Sequence, residues 1–490
     1  MKLSVLLASL KNYKIYSSGN FTDIEIGGLC ADSRIYRKGD LFICIHGGRV
    51  DSHDYAEEAL EKGAVAVVTE KKLDIQGVQI LVEDSRLAMS VLASVFYKEP
   101  SKRLKIIGIT GTNGKTTCSY MLSNILKAAG KKVGIIGTLG VFYDKKCIAP
   151  ELTTPDPIFL QCTLADMVEC GVEYVVMEVS AHALYYKKVE GVTFHACIFT
   201  NFTQDHLDFF SNMREYKNAK LKLFPVEKCP LAIVNLDDQL SSEITDLRNK
   251  SLIPCVKTCY YALKTPSDAF AIVTSEQLKS SEFIININDT LFPIRLQMTG
   301  LHNVYNALAV SVCAHELGIN KTYIIDGLNS LIGVKGRLEW IASHKGGEIF
   351  IDFAHTPDGL EKSLIGLKSH CRGRLICLFG CGGNRDRTKR AKMGKIATDL
   401  SNFVVLTSDN PRYEDPTDII QDIESGIPKE FTNYVAIPER ERAIAYAINE
   451  LKDGDILLVA GKGGEDYQER MGIKYAYKDE DVIIKITNKE

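Results

Sequence analysis

Seven consecutive residues, Gly111-Thr112-Asn113-Gly114-Lys115-Thr116-Thr117, combine close-set glycines with a lysine and hydroxyls, the set needed to hold a chain of phosphates. Glycines let backbone N–H groups turn toward an anion, a lysine reaches the outer phosphates, and a threonine hydroxyl can ligate Mg²⁺. The context suits that chemistry. The apolar run 105–110 predicts a strand, and Tyr120, Met121, Ile125 and Leu126 predict a helix that stops at Gly130. The loop departs from the usual Gly-x-x-x-x-Gly-Lys-Ser/Thr spacing, because Ile109 stands where the first glycine belongs and the glycines fall at 108, 111 and 114. An ordinary glycine-rich turn is the bland alternative, and Gly-Lys-Thr opening a helix favours a nucleoside triphosphate site.

Other residues carry chemistry at the ends of predicted strands. Glu178 closes the run 173–179 at its carboxyl end, where ligands of open α/β sheets gather. The stretch 201–208 adds carboxylates and His206, sensible near Mg²⁺ although that ion prefers oxygen, and a hydrogen-bonded structural role is the default for His206 alone. Lys217, Lys220 and Lys222 read as the solvated face of a helix. Asn303 and Asn306 share one face of a helix that opens near Gly300; such amides can read an adenine edge, but capping is the commoner job. Farther on, Arg385 and Arg412 supply planar forks for carboxylates, while Asp409 and Glu465 can hold an ammonium, a set suited to a zwitterionic amino acid.

These residues need alternating strands and helices to position them. At 490 residues the chain exceeds one core, and about 150 residues per domain suggests three. Residues 1–100 alternate apolar runs at 41–45 and 64–68 with a helix over 55–62, and Glu99-Pro100-Ser101 reads as a linker. Residues 101–334 run strand 105–110, helix 116–129, strand 132–137, helix 158–170 and strand 173–179, which implies crossovers and a covered parallel sheet. Residues 335–490 repeat the rhythm, and each strand empties into a polar or glycine-rich loop, as in a Rossmann-type sheet with a site at its carboxyl edge. No Gly-x-Gly-x-x-Gly opens a helix there, which disfavours a dinucleotide.

A net charge of -3, with 45% hydrophobic and 25% charged residues, argues against disorder and against a nucleic-acid partner. No apolar run approaches the roughly 20 residues of a membrane span. Leu3, Leu6, Leu7 and Leu10 favour an amphipathic helix over a signal peptide, so the expectation is a cytoplasmic monomer without a membrane partner. Cys255 with Cys259, and Cys377 with Cys381, lack a matching His/Cys cluster and read as reduced thiols rather than metal ligands.

Taken in order, Thr110-Gly111-Thr112-Asn113-Gly114-Lys115-Thr116-Thr117, Glu178-Val179-Ser180-Ala181-His182-Ala183-Leu184, residues 201–208, Asn303-x-x-Asn306, Gly336-Arg337 and Asp352-Phe353-Ala354-His355-Thr356-Pro357-Asp358 resemble the signatures of the Mur ligases of bacterial cell-wall synthesis. The resemblance spans nearly the whole chain. It implies an α/β protein of three domains: a central P-loop-type parallel-sheet ATPase domain at 101–334, a small UDP-sugar-binding α/β domain at 1–100 and a Rossmann-like amino-acid-binding ligase domain at 335–490. Asp409-Asn410-Pro411-Arg412 resembles the motif of members that add meso-diaminopimelate to UDP-N-acetylmuramoyl-L-alanyl-D-glutamate, and a guanidinium suits that amino acid's extra carboxylate.

By resemblance, ATP is held by Gly111, Thr112, Asn113, Gly114, Lys115, Thr116, Thr117, Asn303, Asn306 and Arg337. Ser33, Gly48, Arg49, Val50, Thr153, Thr154, Ser180 and Lys188 fall where relatives contact the UDP-sugar dipeptide, and Arg385, Asp409, Asn410, Arg412, Gly461 and Glu465 where they hold the amino acid. Mg²⁺ falls to Thr116, Glu178, His206 and Lys220, the last as the carbamate that a neutral amine forms with CO₂. Asp352 and His355 are candidates to position the reacting groups. The implied reaction phosphorylates the D-Glu side-chain carboxylate with ATP, after which an amine attacks the acyl phosphate and expels phosphate. The pattern departs from the family's at Ser52, Ala181, Tyr186, Lys188, Lys335, Asn384 and Gly464, and Lys188 is a point charge where relatives carry a planar fork. On the motifs alone, same-fold addition of L-lysine or another amino acid, or a P-loop NTPase switch, stays open.

Overall fold

A computed structural model describes residues 1–17, 21, 23–35, 37–48, 50–251, 253 and 256–488, so Arg49 and Cys255 lie outside the described residues. The chain divides into two compact units, Met1–Gly108 with Lys132–His195 and Glu227–Pro230, and Ile109–Lys131 with Ala196–Val226 and Leu231–Glu490.

In the first unit, β1 (Tyr13–Tyr16), β2 (Gly28–Cys30), β3 (Asp40–Ile43), β4 (Ala66–Thr69) and β5 (Gln79–Val82) form a sheet of order β1-β5-β4-β3-β2. Only β1 runs antiparallel to its neighbour. Leu41 and Ile43 point into one apolar cluster and Phe42 into another, so both faces of β3 are covered and the strand reads as a continuous apolar run. The helix Leu3–Leu7 buries Leu3, Leu6 and Leu7 and turns Val5 outward, as the leucine spacing predicts. The expected linker is instead a packed turn: Pro100 and Ser101 are buried, and the Thr193 N–H donates to Ser101 Oγ at 3.2 Å. The unit continues with the first four residues of β6 (Lys105–Thr110), then β7 (Val133–Gly137), β8 (Gly140–Tyr143), β9 (Lys146–Ile148) and β10 (Tyr174–Glu178), in the order β6-β10-β7-β8-β9. β10 lies parallel to β7, and β8 and β9 form an antiparallel edge.

The second unit takes the end of β6 and adds β11 (Ala196–Phe199), β12 (Leu231–Asn235), β13 (Lys257–Ala262), β14 (Ala269–Gln277), β15 (Ser280–Ile287) and β16 (Thr290–Leu296). β11 to β14 are parallel and β14 to β16 form an antiparallel meander. A second sheet holds β17 (Glu339–His344), β18 (Gly347–Asp352), β19 (Leu375–Phe379), β20 (Phe403–Leu406), β21 (Tyr434–Ala436) and β22 (Ile456–Ala460), ordered β17-β18-β22-β19-β20-β21. All its pairings are parallel except β17 with β18. Cys377 and Phe379 face one apolar cluster and Ile376 and Leu378 the other, which fixes this as a sheet buried on both faces. Its parallel strands therefore deliver Asp352, Gly380, Thr407 and Gly461 to one edge. A hairpin, β23 (Tyr467–Arg470) and β24 (Ile473–Ala476), follows β22. The turn between β14 and β15 packs Leu278 against the second sheet's core and sets the Lys279 ammonium 3.9 Å from the ring centroid of Trp340.

Among the described residues, no helix is long and apolar enough to cross a membrane, and no three His, Cys, Asp or Glu groups are gathered to hold a metal. Cys377 and Cys381 are buried free thiols.

Candidate active site

In the second unit the phosphate loop is built by close approach. Gly111 has φ +152°, and a Cβ there would collide with Thr200 Oγ1; Gly114 has φ +88°, and a Cβ would lie 2.5 Å from Asn306 Oδ1. Gly108 does not belong to this loop. It is a strand residue whose missing Cβ makes room for the Phe194 ring, 2.8 Å from where that carbon would sit. The loop is braced from 200–203: Asn113 N–H donates to Asn201 Oδ1 at 2.9 Å, Asn201 Nδ2 donates back to Asn113 O at 3.0 Å, and Thr203 N–H donates to Thr112 Oγ1 at 3.0 Å. Lys115 opens the helix Lys115–Ala128, whose first N–H groups lack intrahelical acceptors and carry positive potential. Its ammonium donates to Gly111 O at 2.9 Å and Thr112 O at 2.8 Å, while Arg337 Nη2 donates to Thr116 Oγ1 at 2.9 Å. Thr117 is buried beside it.

Asn303 and Asn306 do not cap their helix. Asn303 Nδ2 donates to Thr299 O at 2.8 Å, and Asn306 Nδ2 to Asn303 Oδ1 at 3.3 Å, which leaves Asn306 Oδ1 under Gly114.

Lys220 departs from the solvated-face reading. It is 1% exposed on the helix Met213–Leu221, whereas Lys222 is exposed, and its ammonium stands 4.5 Å from the Tyr216 ring centroid. Burial, reinforced by the charge of Lys115, holds the Lys220 amine well below its ordinary range. Nearby in sequence, the buried Asp205 carboxylate gathers two imidazoles and an ammonium: Oδ2 lies 3.3 Å from His206 Nε2 and 3.7 Å from His355 Nε2, and Oδ1 3.7 Å from Lys389 Nζ. Burial alone would raise its pKa, but these imidazoles and the ammonium outweigh it and hold Asp205 well below the usual carboxylate range. His206 adopts a left-handed backbone, φ +57°, and donates its N–H to Asp205 Oδ1 at 2.8 Å. His355 Nδ1 faces Phe353 O at 2.8 Å, and because a carbonyl can only accept, that nitrogen carries the proton. Asp352 does not join this group. Its carboxylate accepts from Leu338 N–H at 2.7 Å, Ala354 N–H at 2.9 Å and Ser363 Oγ at 2.9 Å, so it fastens its own strand end.

The amino-acid candidates do meet, at the carboxyl edge of the second sheet. Asn410 Nδ2 donates to Glu465 Oε2 at 2.9 Å, and Asp409 Oδ1 accepts from Asn410 N–H at 2.6 Å. Gly461 stands against Asp409 Oδ2. Arg412 is held in a left-handed backbone, φ +52°, with Nε 3.2 Å from Glu469 Oε2 and Nη1 donating to Gly383 O at 2.9 Å. Arg385 reaches Asp208 Oδ2 at 3.4 Å. Three residues absent from the sequence-derived set stand at these sites: Asp205, Lys389 and Lys462, the last with 0% side-chain exposure between Asn410 and Glu465. Asp205 was within reach as the one acid of 201–208 flanking His206; nothing local marks a lysine that tertiary packing buries.

In the first unit, Glu178 is buried at the end of β10, where Oε1 accepts from Thr138 N–H at 2.9 Å and Oε2 from Thr138 Oγ1 at 3.1 Å. Thr154 Oγ1 donates to Glu178 O at 2.9 Å and accepts from Ser180 N–H at 3.0 Å, and Thr153 Oγ1 lies 3.1 Å from Thr138 Oγ1. Thr153, Thr154, Glu178 and Ser180 are thus one hydrogen-bonded group. Lys188 pairs with Asp156 at 2.7 Å. Ser33, Gly48 and Val50 lie on loops of the five-stranded sheet, with Gly48 and Val50 exposed, and no hydrogen bond among the described residues joins them to that group.

Comparison with known proteins agrees with this layout. Residues 25–99 match the catalytic domain of the Mur ligase family, 109–314 the Mur ligase middle domain and 336–463 the Mur ligase glutamate ligase domain. The chain is 40% identical over 475 residues to the UDP-N-acetylmuramoyl-L-alanyl-D-glutamate–2,6-diaminopimelate ligase of Geobacillus thermodenitrificans, covering 96% of this chain and 95% of the relative. It is 42% identical over 486 residues to the ligase of the same name from Caldanaerobacter subterraneus, covering 98% of each. A solved structure of a ligase of that name superimposes with a TM-score of 0.70 at 30% identity, covering 97% of both chains. MurF ligase of Thermotoga maritima, solved with ADP, shares the fold at a TM-score of 0.63 and 19% identity, covering 94% of this chain and 97% of its own. An α/β architecture of mostly parallel sheets, a glycine-rich loop opening a helix and these ordered matches agree: the chain belongs to the Mur ligase family.

Proposed function

We propose that this protein is an ATP-dependent amide ligase that joins meso-diaminopimelate to UDP-N-acetylmuramoyl-L-alanyl-D-glutamate in peptidoglycan precursor synthesis. The observation that carries the substrate reading is Arg412, whose guanidinium is fixed by Glu469 and Gly383 O beside Asn410 and Glu465. A planar fork reads the distal carboxylate of diaminopimelate, and Glu465 answers an ammonium; L-lysine offers no such carboxylate. Names and near-full-length identity of the relatives support the same choice. The working domains are 1–100, 101–334 and 335–490, and the protein acts as a cytoplasmic monomer on small-molecule substrates.

A carboxylate does not acylate an amine at neutral pH, so the D-Glu carboxylate must first become an acyl phosphate. Lys115, the N–H groups of 111–117, and Arg337 beside Thr116 hold and neutralise the triphosphate, positioning it for in-line transfer. Asn303 and Asn306 support the loop from beneath. Arg385, Asp409, Asn410, Gly461 and Glu465 orient the incoming amino acid so that its free amine meets the acyl carbon, and His355 stands where it can help order the reacting groups. Asp352 serves by fixing the strand end from which His355 projects. Ser33, Gly48, Val50, Thr153, Thr154, Ser180 and Lys188 keep the nucleotide-sugar role that resemblance gives them, as does Arg49.

The fit of Mg²⁺ turns on Lys220. An ammonium repels a cation, but a buried amine held toward neutrality is the species that captures CO₂, and the carbamate supplies the oxygen ligands Mg²⁺ prefers. With Thr116 and His206 this is a sparse protein set, as expected where phosphate oxygens and water complete the shell. Glu178, at the end of β10, keeps the ligand role that resemblance implies. When bound, Mg²⁺ neutralises charge on the phosphates. The decisive experiment is phosphate release with the UDP-sugar dipeptide, comparing meso-diaminopimelate with L-lysine and identifying the product by mass. Equal turnover of both amino acids, or ATP hydrolysis without either, refutes the reading.

A further inference from the structure

The second sheet buries a lysine that the proposed chemistry does not use. Lys462 follows Gly461 at the end of β22 with its side chain 0% exposed, and among the described residues Glu465 is the carboxylate it pairs with. Its ammonium donates to Asn410 Oδ1 at 3.0 Å and to Glu465 Oε2 at 3.0 Å, with the rings of Tyr467 and Tyr477 centred 5.5 and 5.9 Å away. Asn410 Oδ1 also accepts from Glu469 N–H at 2.9 Å, and Asn410 Nδ2 donates to Glu465 Oε2 at 2.9 Å. The amide orientation is therefore settled, since a flipped Asn410 would set its NH₂ against an ammonium and an N–H. Glu465 Oε2 is taken twice, and Oε1 accepts no hydrogen bond within the described residues. A buried ion pair contributes little to stability compared with an apolar side chain of equal length, so stability alone is a weak reason to keep a lysine here.

We propose that Lys462 is a positioning residue of the amino-acid subsite: it anchors one oxygen of Glu465 and fixes the Asn410 amide, so that a single carboxylate oxygen is presented to the ammonium of the incoming amino acid. The proposal rests on the reading of Asn410 and Glu465 as amino-acid ligands. It makes Lys462 act through Glu465, without touching the substrate.

A double-mutant cycle in the full chain tests it, with Lys462→Met, Glu465→Gln and the pair together, measuring KM for meso-diaminopimelate, for ATP and for the UDP-sugar dipeptide, alongside thermal melting. Lys462→Met is expected to raise KM for the amino acid roughly tenfold to a hundredfold and leave the other two KM values in place. Because both residues serve one oxygen, the double variant should do no more than the larger single change. Additive effects, or a fall in kcat with the amino-acid KM unmoved, overturn the proposal. Should the Met variant fail to fold, Lys462→Gln retains one donor in a similar volume and carries the same comparison. Wild-type turnover with a different amino acid would overturn the substrate reading alone, and the cycle run with that amino acid still decides the role of Lys462.

Discussion

Removing the Asp479 carboxylate should destabilise the second sheet far more than an ordinary ion pair would suggest. Arg440 and Asp479 are 1% and 0% exposed, joined by Nε to Oδ1 and Nη2 to Oδ2 contacts of 2.7 Å each. Burial would lower the Arg440 pKa, but the Asp479 charge outweighs it and holds the guanidinium above even its ordinary range. In Asp479→Ala the hydrogen bonds left to the guanidinium among the described residues are to Ser408 O at 3.3 Å and Ala460 O at 3.0 Å, neither of which balances its charge. An uncompensated buried charge costs about 3–5 kcal/mol, a large share of the roughly 5–15 kcal/mol that holds a domain together. Replacing both partners, Arg440→Met with Asp479→Leu, should recover most of the loss, because the desolvation penalty leaves with the charges. Urea unfolding followed through the fluorescence of Trp340, which lies on β17 of this sheet, measures all three proteins. A single-variant loss under about 1 kcal/mol, the value of an exposed pair, or a double variant weaker than Asp479→Ala, would refute the reasoning.

Three further outcomes can be measured directly. Asp455 accepts from Arg374 N–H at 2.7 Å and Arg374 Nη2 at 2.7 Å; burial would raise its pKa, yet these bonds hold it below the ordinary carboxylate value. A depressed folded pKa means stability that is complete above the unfolded value of about 3.9 and lost as pH falls through the folded one. Asp455→Asn should therefore cost about 1–3 kcal/mol in urea titrations at pH 7, with the gap to wild type closing in acid; a constant gap contradicts this. Gly114→Ala forces a side chain into a left-handed backbone at about 1–2 kcal/mol and drives Asn306 aside, so the KM for ATP should rise roughly tenfold with an unchanged circular dichroism spectrum. Turnover should fall in CO₂-depleted buffer and return with bicarbonate, whereas Lys220→Met should lose roughly a hundredfold with no bicarbonate response; indifference of the wild type to CO₂ removes the carbamate from the account.

The phosphate loop was legible because its chemistry is local: glycine backbone freedom, a lysine and a helix start all lie within seven residues. The strand-helix rhythm was legible for the same reason, and the 105–110 strand appears at its expected bounds. What escaped depends on contacts distant in sequence. Lys220 shares a polar helix with Lys217 and Lys222, and only packing around Tyr216 sets it apart. Lys462 and Lys389 are likewise ordinary until the fold buries them. Asp352 reads from the sequence as a candidate to position the reacting groups, and only the fold shows the backbone of Leu338 and Ala354 and the Ser363 hydroxyl occupying its oxygens. Gly108 looked like part of the phosphate cradle until Phe194 supplied a packing reason for it.

The turn joining β14 to β15 gives the molecule an optical property. Trp340 is its sole tryptophan, and Lys279 places a positive charge over that indole while Leu278 packs into the apolar core of the same sheet. Any separation of the second sheet from the meander withdraws that charge from the ring, so emission wavelength becomes an intrinsic gauge of this contact, readable without a dye.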